Sequence, residues 1–269
     1  MRQVRHCTPT ASGRPLAYCG PTGVCDVTTP TLDHGFRIRG VQPTRVDAFV
    51  DAAFAFAVTL LVISIGHVPQ SVGELVQALR GVPAFAASFF VIGRFWQTHR
   101  NWSRHYGIED KLATRLSLAL VFIMLVYVYP LRMVAELALA GMSQGVLAEM
   151  PVEIRSVAEL RTLYAIFGIG YMATALIFLA LHRHALSLGD ALGLTPAERI
   201  MTETLCMRWR AVIAIAILST LLGLFLPMGL GESVPLDSVP GLIYFLVYVA
   251  FFALARRERQ QLATLRSAH

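Results

Sequence analysis

The stretch RVDAFVDAAFAFAVTLLVISI, Arg45 to Ile65, carries an arginine and two aspartates at one end and an unbroken apolar run behind them. The run approaches the roughly 20 residues that an α-helix needs to cross a bilayer. Asp51 lies six residues past Arg45, about 9 Å along a helix that rises 1.5 Å per residue. A carboxylate at that depth is costly in a membrane, so it turns toward protein or water, and by default it marks an assembly or functional site.

The rest of the chain is made of the same material. Hydrophobic residues are 55% of the 269 and charged ones 15%, whereas a soluble domain is about one quarter charged. Apolar runs are read at 49–65, 82–98, 116–134, 163–181, 212–230 and 239–255. They are rich in Leu, Ile, Ala and Phe and show no alternation of period two, which selects helices over a barrel. The expected fold class is an all-α integral membrane protein with six transmembrane helices per subunit.

A net charge of +6 could suggest a nucleic-acid partner, but its distribution says otherwise. With the N-terminus placed inside and the segments assigned alternately, 18 of the 23 basic residues fall on the inner side. The outer segments hold only Arg80, Arg132, Arg155 and Arg161, and Arg94 lies within a span. Such a bias is the positive-inside signature, so both termini are expected in the cytosol. The basic excess sets orientation and, at most, contacts anionic lipid.

Residues 1–44 are polar and rich in Thr, Pro and Gly, without the apolar core of a secretory signal. They read as a disordered cytosolic tail or as an over-extended gene start, and 256–269 as a basic cytosolic tail. Cys7, Cys19 and Cys25, with His6 and His34 near them, match no standard zinc spacing, and a cytosolic setting keeps thiols reduced. No metal or cofactor is expected.

The second span supplies partners for Asp51. It runs the opposite way and ends inside at FWQTHRNW. Arg94 precedes Arg100 by six residues, so it lies at a depth similar to that of Asp51. Either the two pair, alone or in a network with Trp96 and His99, or Arg94 snorkels to the interface while Asp51 accepts backbone hydrogen bonds near its helix start.

These residues resemble a known family. Arg45, Phe49, Val50 and Asp51, followed by Thr59-Leu60-Leu61, are similar to the Arg-x-x-x-Phe-Ser-Asp and Thr-Leu-Leu signature of the transmembrane protein 175 family. Ser88-Phe89, Trp96 and His99 are similar to its second-span motif, and Pro130 near the outer end of the third span agrees as well. The resemblance covers residues 45 to 255 and is most specific in the first hundred of these. It implies a bacterial, potassium-selective cation channel, a homotetramer of six-span subunits in which the first helix lines the pore and side chains rather than carbonyls select the ion. Three positions depart from the pattern. Val50 replaces the serine of the motif, Arg100 replaces its second histidine, and LATRLSLALVF in the third span shows no counterpart to the family's asparagine.

Helical spacing from Phe49 gives Phe56, Leu60 and Ile63 as one stripe, with Thr59 on its border. A Phe–Leu–Ile stripe on a membrane helix is ordinarily a packing surface. The resemblance makes it a pore wall, with Phe56 at an apolar constriction of the kind that gates by dewetting and Thr59 as its hydroxyl. Arg45, Phe49, Asp51, Arg94, Trp96 and His99 then hold the inner ends of the first two spans together. FGIGYM, Phe167–Met172, faintly echoes a carbonyl filter but lies mid-helix. Gly168 and Gly170 with Thr162 and Thr174 suit close helix packing instead.

Other chemistry is weaker. His99, His105, His182 and His184 fall at the inner edge rather than mid-membrane, which disfavours haem ligation. No HExxH or P-loop pattern occurs. Glu149, Glu153 and Glu159 form an acidic outer loop. The expectation is a channel passing K+ and other monovalent cations, not an enzyme, in the bacterial cytoplasmic membrane, with the bilayer and copies of itself as its only partners. The alternative is a proton- or cation-coupled secondary transporter with Asp51 as the carrier.

Overall fold

The computed structural model describes residues 35–64, 69–143, 156–226 and 235–267, together with three two-residue strands upstream. The strands are β1 (Tyr18–Cys19), β2 (Cys25–Asp26), β3 (Leu32–Asp33) and β4 (Phe36–Arg37), and they form two small antiparallel ladders, β1 with β2 and β3 with β4. The described elements that follow are helices: α1 (Arg45–Ile63), α2 (Val72–Arg80), α3 (Val82–Tyr106), α4 (Lys111–Ser143), α5 (Val157–Ser187), α6 (Pro196–Phe225), α7 (Pro235–Leu242) and, after a 3-10 turn at Ile243–Phe245, α8 (Leu246–Ser267). Among the described residues, five helices are long and apolar enough to cross a bilayer singly, and α2 with α3 adds a sixth only as a pair bent by 44°. Helix α3 falls short alone because its second half turns polar at Arg94, Gln97, Thr98 and His99.

Local chemistry sets the helix starts. Thr44 and Asp47 form a reciprocal capping box at α1, and Thr195 and Glu198 form another at α6, each satisfying amide donors that the first turn leaves open. Ser156 caps α5 and Asp110 accepts the Ala113 amide at 2.8 Å to open α4. That amide, with help from His184, holds the Asp110 carboxyl below its ordinary range. Helix α3 stops at Gly107, whose φ of +60° suits glycine.

The helices overrun the apolar windows. Helix α4 continues past 134 to Ser143, and α8 continues past Ala255 to Ser267, so most of the expected basic C-terminal tail is helical extension. Arg132, assigned from sequence to an outer segment, lies within α4 and is only 7% exposed. Gly168 and Gly170 belong to the unbroken α5, where a side chain on Gly168 would collide with Thr220 of α6 and one on Gly170 with Tyr127 of α4. The FGIGYM segment is a packing seam, and Tyr127 donates to the Phe167 carbonyl across it at 3.1 Å.

The segment preceding α1 is not loose. Phe36 is buried and stacks on His105 with centroids 4.5 Å apart. The amides of Arg39 and Gly40 both donate to the Arg104 carbonyl at 3.0 Å. The Arg39 guanidinium forks the Glu198 carboxylate at 3.0 and 2.9 Å, and the Arg37 amide donates to the same group at 2.8 Å. Residues 36–44, expected from sequence to be the end of a tail, therefore strap the ends of α3 and α6 and lead directly into α1. The zinc question at Cys7, Cys19 and Cys25 lies outside the described side chains; among the described residues no group of three or more metal-ligating side chains occurs.

Glu198 is 1% exposed, so Glu198→Ala leaves Arg39 facing a buried gap and should cost about 3 kcal/mol. Thermal unfolding in detergent should show the loss, with faster proteolysis at residues 36–44. An unchanged melting temperature would show that the strap does not stabilise the fold.

Candidate functional site

Helix α1 has two unlike faces. Val50, Phe54, Ala57 and Leu61 are buried against α3 and α4, while Phe49, Phe56 and Ile63 are 54%, 55% and 62% exposed, and Ala52, Ala55 and Thr59 are exposed with them. At about 100° per residue, Ala52 and Thr59 point directly away from the packed stripe, and Phe56 and Ile63 flank them. Leu60, grouped from sequence with the other three, lies toward the packed side and is half-buried. Thr59 donates to the Ala55 carbonyl at 3.1 Å, which leaves its oxygen lone pairs on the uncovered face.

The inner end of α1 is held by a carboxylate. The Trp96 indole donates to Asp51 Oδ1 at 2.7 Å. Arg94 does not take that place: it donates to Gln97 at 2.7 Å, further along its own helix. The reason is rotational, since Arg94 and Trp96 are about 200° apart around α3 and only Trp96 is turned toward α1. His99 is buried and bonds Ser117 of α4 at 2.9 Å. Arg100, which stands where the motif has a histidine, places its guanidinium 5.6 Å above the Trp96 ring. Arg45 and Phe49 are exposed at this end. Val50, which stands where the motif has a serine, is fully buried in the α1 packing stripe, so an apolar side chain suits its site.

The other inner-edge histidines already have protein partners. His182 bonds the Phe178 carbonyl at 2.7 Å, His184 bonds Asp110 at 2.5 Å, and His105 stacks on Phe36. They tie helices together, and nothing in their placement favours a haem.

Sequence reasoning missed two groups. Ser117 was hidden in an apolar run, and only its position one helix away from a buried histidine reveals its use. Arg132 and Glu136 form a buried pair at 2.7 Å on α4, and Arg132 also donates to the Leu61 carbonyl at 3.2 Å and Ser64 Oγ at 2.5 Å. An Arg-x-x-x-Glu pattern at the end of an apolar helix was the available signal, since i and i+4 share a face. The uncovered stripe of α1 is therefore fastened at both ends.

A double-mutant cycle separates the two candidate partners of Asp51. Trp96→Phe and Asp51→Asn should couple by about 1 kcal/mol in thermal unfolding, whereas Arg94→Gln and Asp51→Asn should be additive. Coupling to Arg94 with none to Trp96 would reverse the assignment.

Comparison with known proteins agrees with this geometry. A family model described as the endosomal/lysosomal potassium channel TMEM175 matches residues 45–130, which contain α1, α3 and most of α4. A potassium channel of Marivirga tractuosa is 28% identical over 236 residues, 86% of this chain and 95% of that protein. A potassium channel of Streptomyces collinus is 36% identical over 98 residues, 34% of this chain and 47% of its own length. Among solved structures, a variant of the potassium channel MtTMEM175 superposes with a TM-score of 0.70 at 28% identity, covering 85% of this chain and 99% of that one. A TMEM175 homologue from Chamaesiphon minutus has the same fold, with a TM-score of 0.50 at 20% identity over 80% of this chain and 96% of its own. The first-helix motif, the helical architecture and these relatives all make the chain similar to the potassium channels of the TMEM175 family.

Proposed function

We propose that the chain is a potassium channel of a bacterial cytoplasmic membrane, working as a homotetramer in which four α1 helices enclose the path. The observation that carries this reading is the uncovered face of α1. Other exposed faces of the chain present large side chains, such as Phe122, Val126 and Tyr129 on α4 and Tyr248, Val249 and Phe252 on α8. The α1 face combines large side chains at Phe49, Phe56, Val62 and Ile63 with Ala52, Ala55 and the Thr59 hydroxyl, and it ends at a carboxylate. A face of that kind, repeated by fourfold symmetry, makes a path with small residues and Asp51 at its inner end, one apolar ring at Phe56 and a hydroxyl ring next to it.

The physics of conduction follows from the ring sizes. A narrow ring of phenylalanines does not hold a water column and closes by dewetting. When it widens, the ring faces can accommodate a partly dehydrated cation. The potassium ion is the transported species, and conduction needs no cofactor and no catalytic group. The inner-side arginines orient the chain, and Asp51 contributes negative potential at the inner mouth. None of the relatives above is described as a coupled transporter, and the carboxylate that such a mechanism would use is occupied by Trp96.

Proteoliposomes with an imposed potassium gradient test this reading. The wild-type chain should pass K+ in single-channel steps, and Phe56→Ala should raise the flux several-fold. A saturating, counter-ion-dependent flux would favour transport instead. An unchanged Phe56→Ala flux would move the constriction elsewhere.

A further inference from the structure

We infer that the buried Arg132–Glu136 pair on α4 is the clamp that sets the rotation of α1 at its outer end, and so decides which α1 side chains face the path. This inference rests on the channel reading. The four last carbonyls of a helix have no partner within it, and α1 ends at Ser64 with Leu61 as the last residue of its buried stripe. The Arg132 guanidinium reaches the Leu61 carbonyl and the Ser64 hydroxyl, and Ser64 Oγ itself donates to Leu61 at 2.7 Å. A cation at a helix C-terminus is favoured by the helix dipole. Glu136 supplies the counter-charge, and both side chains are 9% exposed. Arg132 also lies beside Gly81, where α2 bends into α3. One residue thus touches the end of α1, the bend of the second span and its own helix.

Directionality distinguishes this contact from the rest of the α1 interface. Val50, Phe54, Ala57 and Leu61 pack through dispersion and burial, which are non-directional. Such a stripe resists separation more than it resists rolling. The directional bonds lie at the two ends, Trp96 to Asp51 inside and Arg132 to Leu61 and Ser64 outside. With the outer bond lost, a roll of about 50° would carry Leu60 from the edge of the uncovered face onto it and turn Thr59 aside. Arg132 is a positioning residue: it acts through α1 and does not itself touch the ion.

The test is cysteine accessibility in the full-length chain, with its four native cysteines replaced by serine. Thr59→Cys and Leu60→Cys are compared for their rate of modification by a small cationic thiol reagent in proteoliposomes. With the clamp intact, Thr59→Cys should react at least about tenfold faster, given their roughly 100° separation around the helix. Arg132→Leu alone strands Glu136, so the informative variant is Arg132→Met with Glu136→Leu, which removes both charges together. In that background the rate ratio should collapse toward one, while a merely structural role would lower the melting temperature and leave the ratio unchanged. Should the double variant fail to fold, Ser64→Ala with Glu136→Gln keeps the guanidinium and weakens its holds, and the ratio should fall part of the way. A ratio unchanged in whichever variant folds overturns the clamp. A wild-type chain that passes no potassium overturns the channel reading, while the labelling ratio still reports the rotation of α1 independently.

Discussion

One helix of this fold is packed on one side only and tied by directional bonds at its ends, and the proposed path depends on it. Helix α1 buries Val50, Phe54, Ala57 and Leu61 and leaves Phe56, Thr59 and Ile63 open. The surrounding helices serve to hold it there. Their means are polar groups placed where the apolar stripe ends: the Trp96–Asp51 bond inside, the Arg132 contact outside, and the Thr44–Asp47 box at the first turn. Within a membrane, apolar packing confers little preference for one helix rotation over another, because lipid tails are as apolar as leucine. Hydrogen bonds and buried ion pairs supply that preference.

The strap adds a second constraint. The chain enters α1 only after Phe36 has stacked on His105 and Arg39 has gripped Glu198 across 159 residues of sequence. The start of α1 is thus fixed to the ends of α3 and α6 as well as to its neighbour Trp96. The ends of α3 and α6 are joined to α1 by a short segment held by backbone and side-chain bonds.

Much of this was legible in the sequence, for physical reasons. Membrane spans announce themselves through composition. Asp51 stood out because a carboxylate in an apolar run needs an explanation. What composition cannot report is rotation. Arg94 and Trp96 are two residues apart, charge favoured the first, and the turn of α3 delivers the second. Leu60 followed Phe56 by helical spacing and yet falls nearer the packed side. Hydropathy also cannot see that a helix continues once it turns polar, which is why α4 and α8 run longer than their apolar cores. The Arg39–Glu198 contact joins segments far apart in the chain and leaves no local signal at all.

The most direct measurement of the central claim is side-dependent block at the uncovered face. Silver ion, applied from the cytosolic side to Phe56→Cys in a planar bilayer, binds the thiol only where water and cations reach it. If four α1 helices enclose the path, current should fall to the baseline, and excess potassium should slow the block. Current that persists while the thiol is modified, or a thiol reached only by a lipid-soluble reagent, would place this face against the membrane and contradict the account.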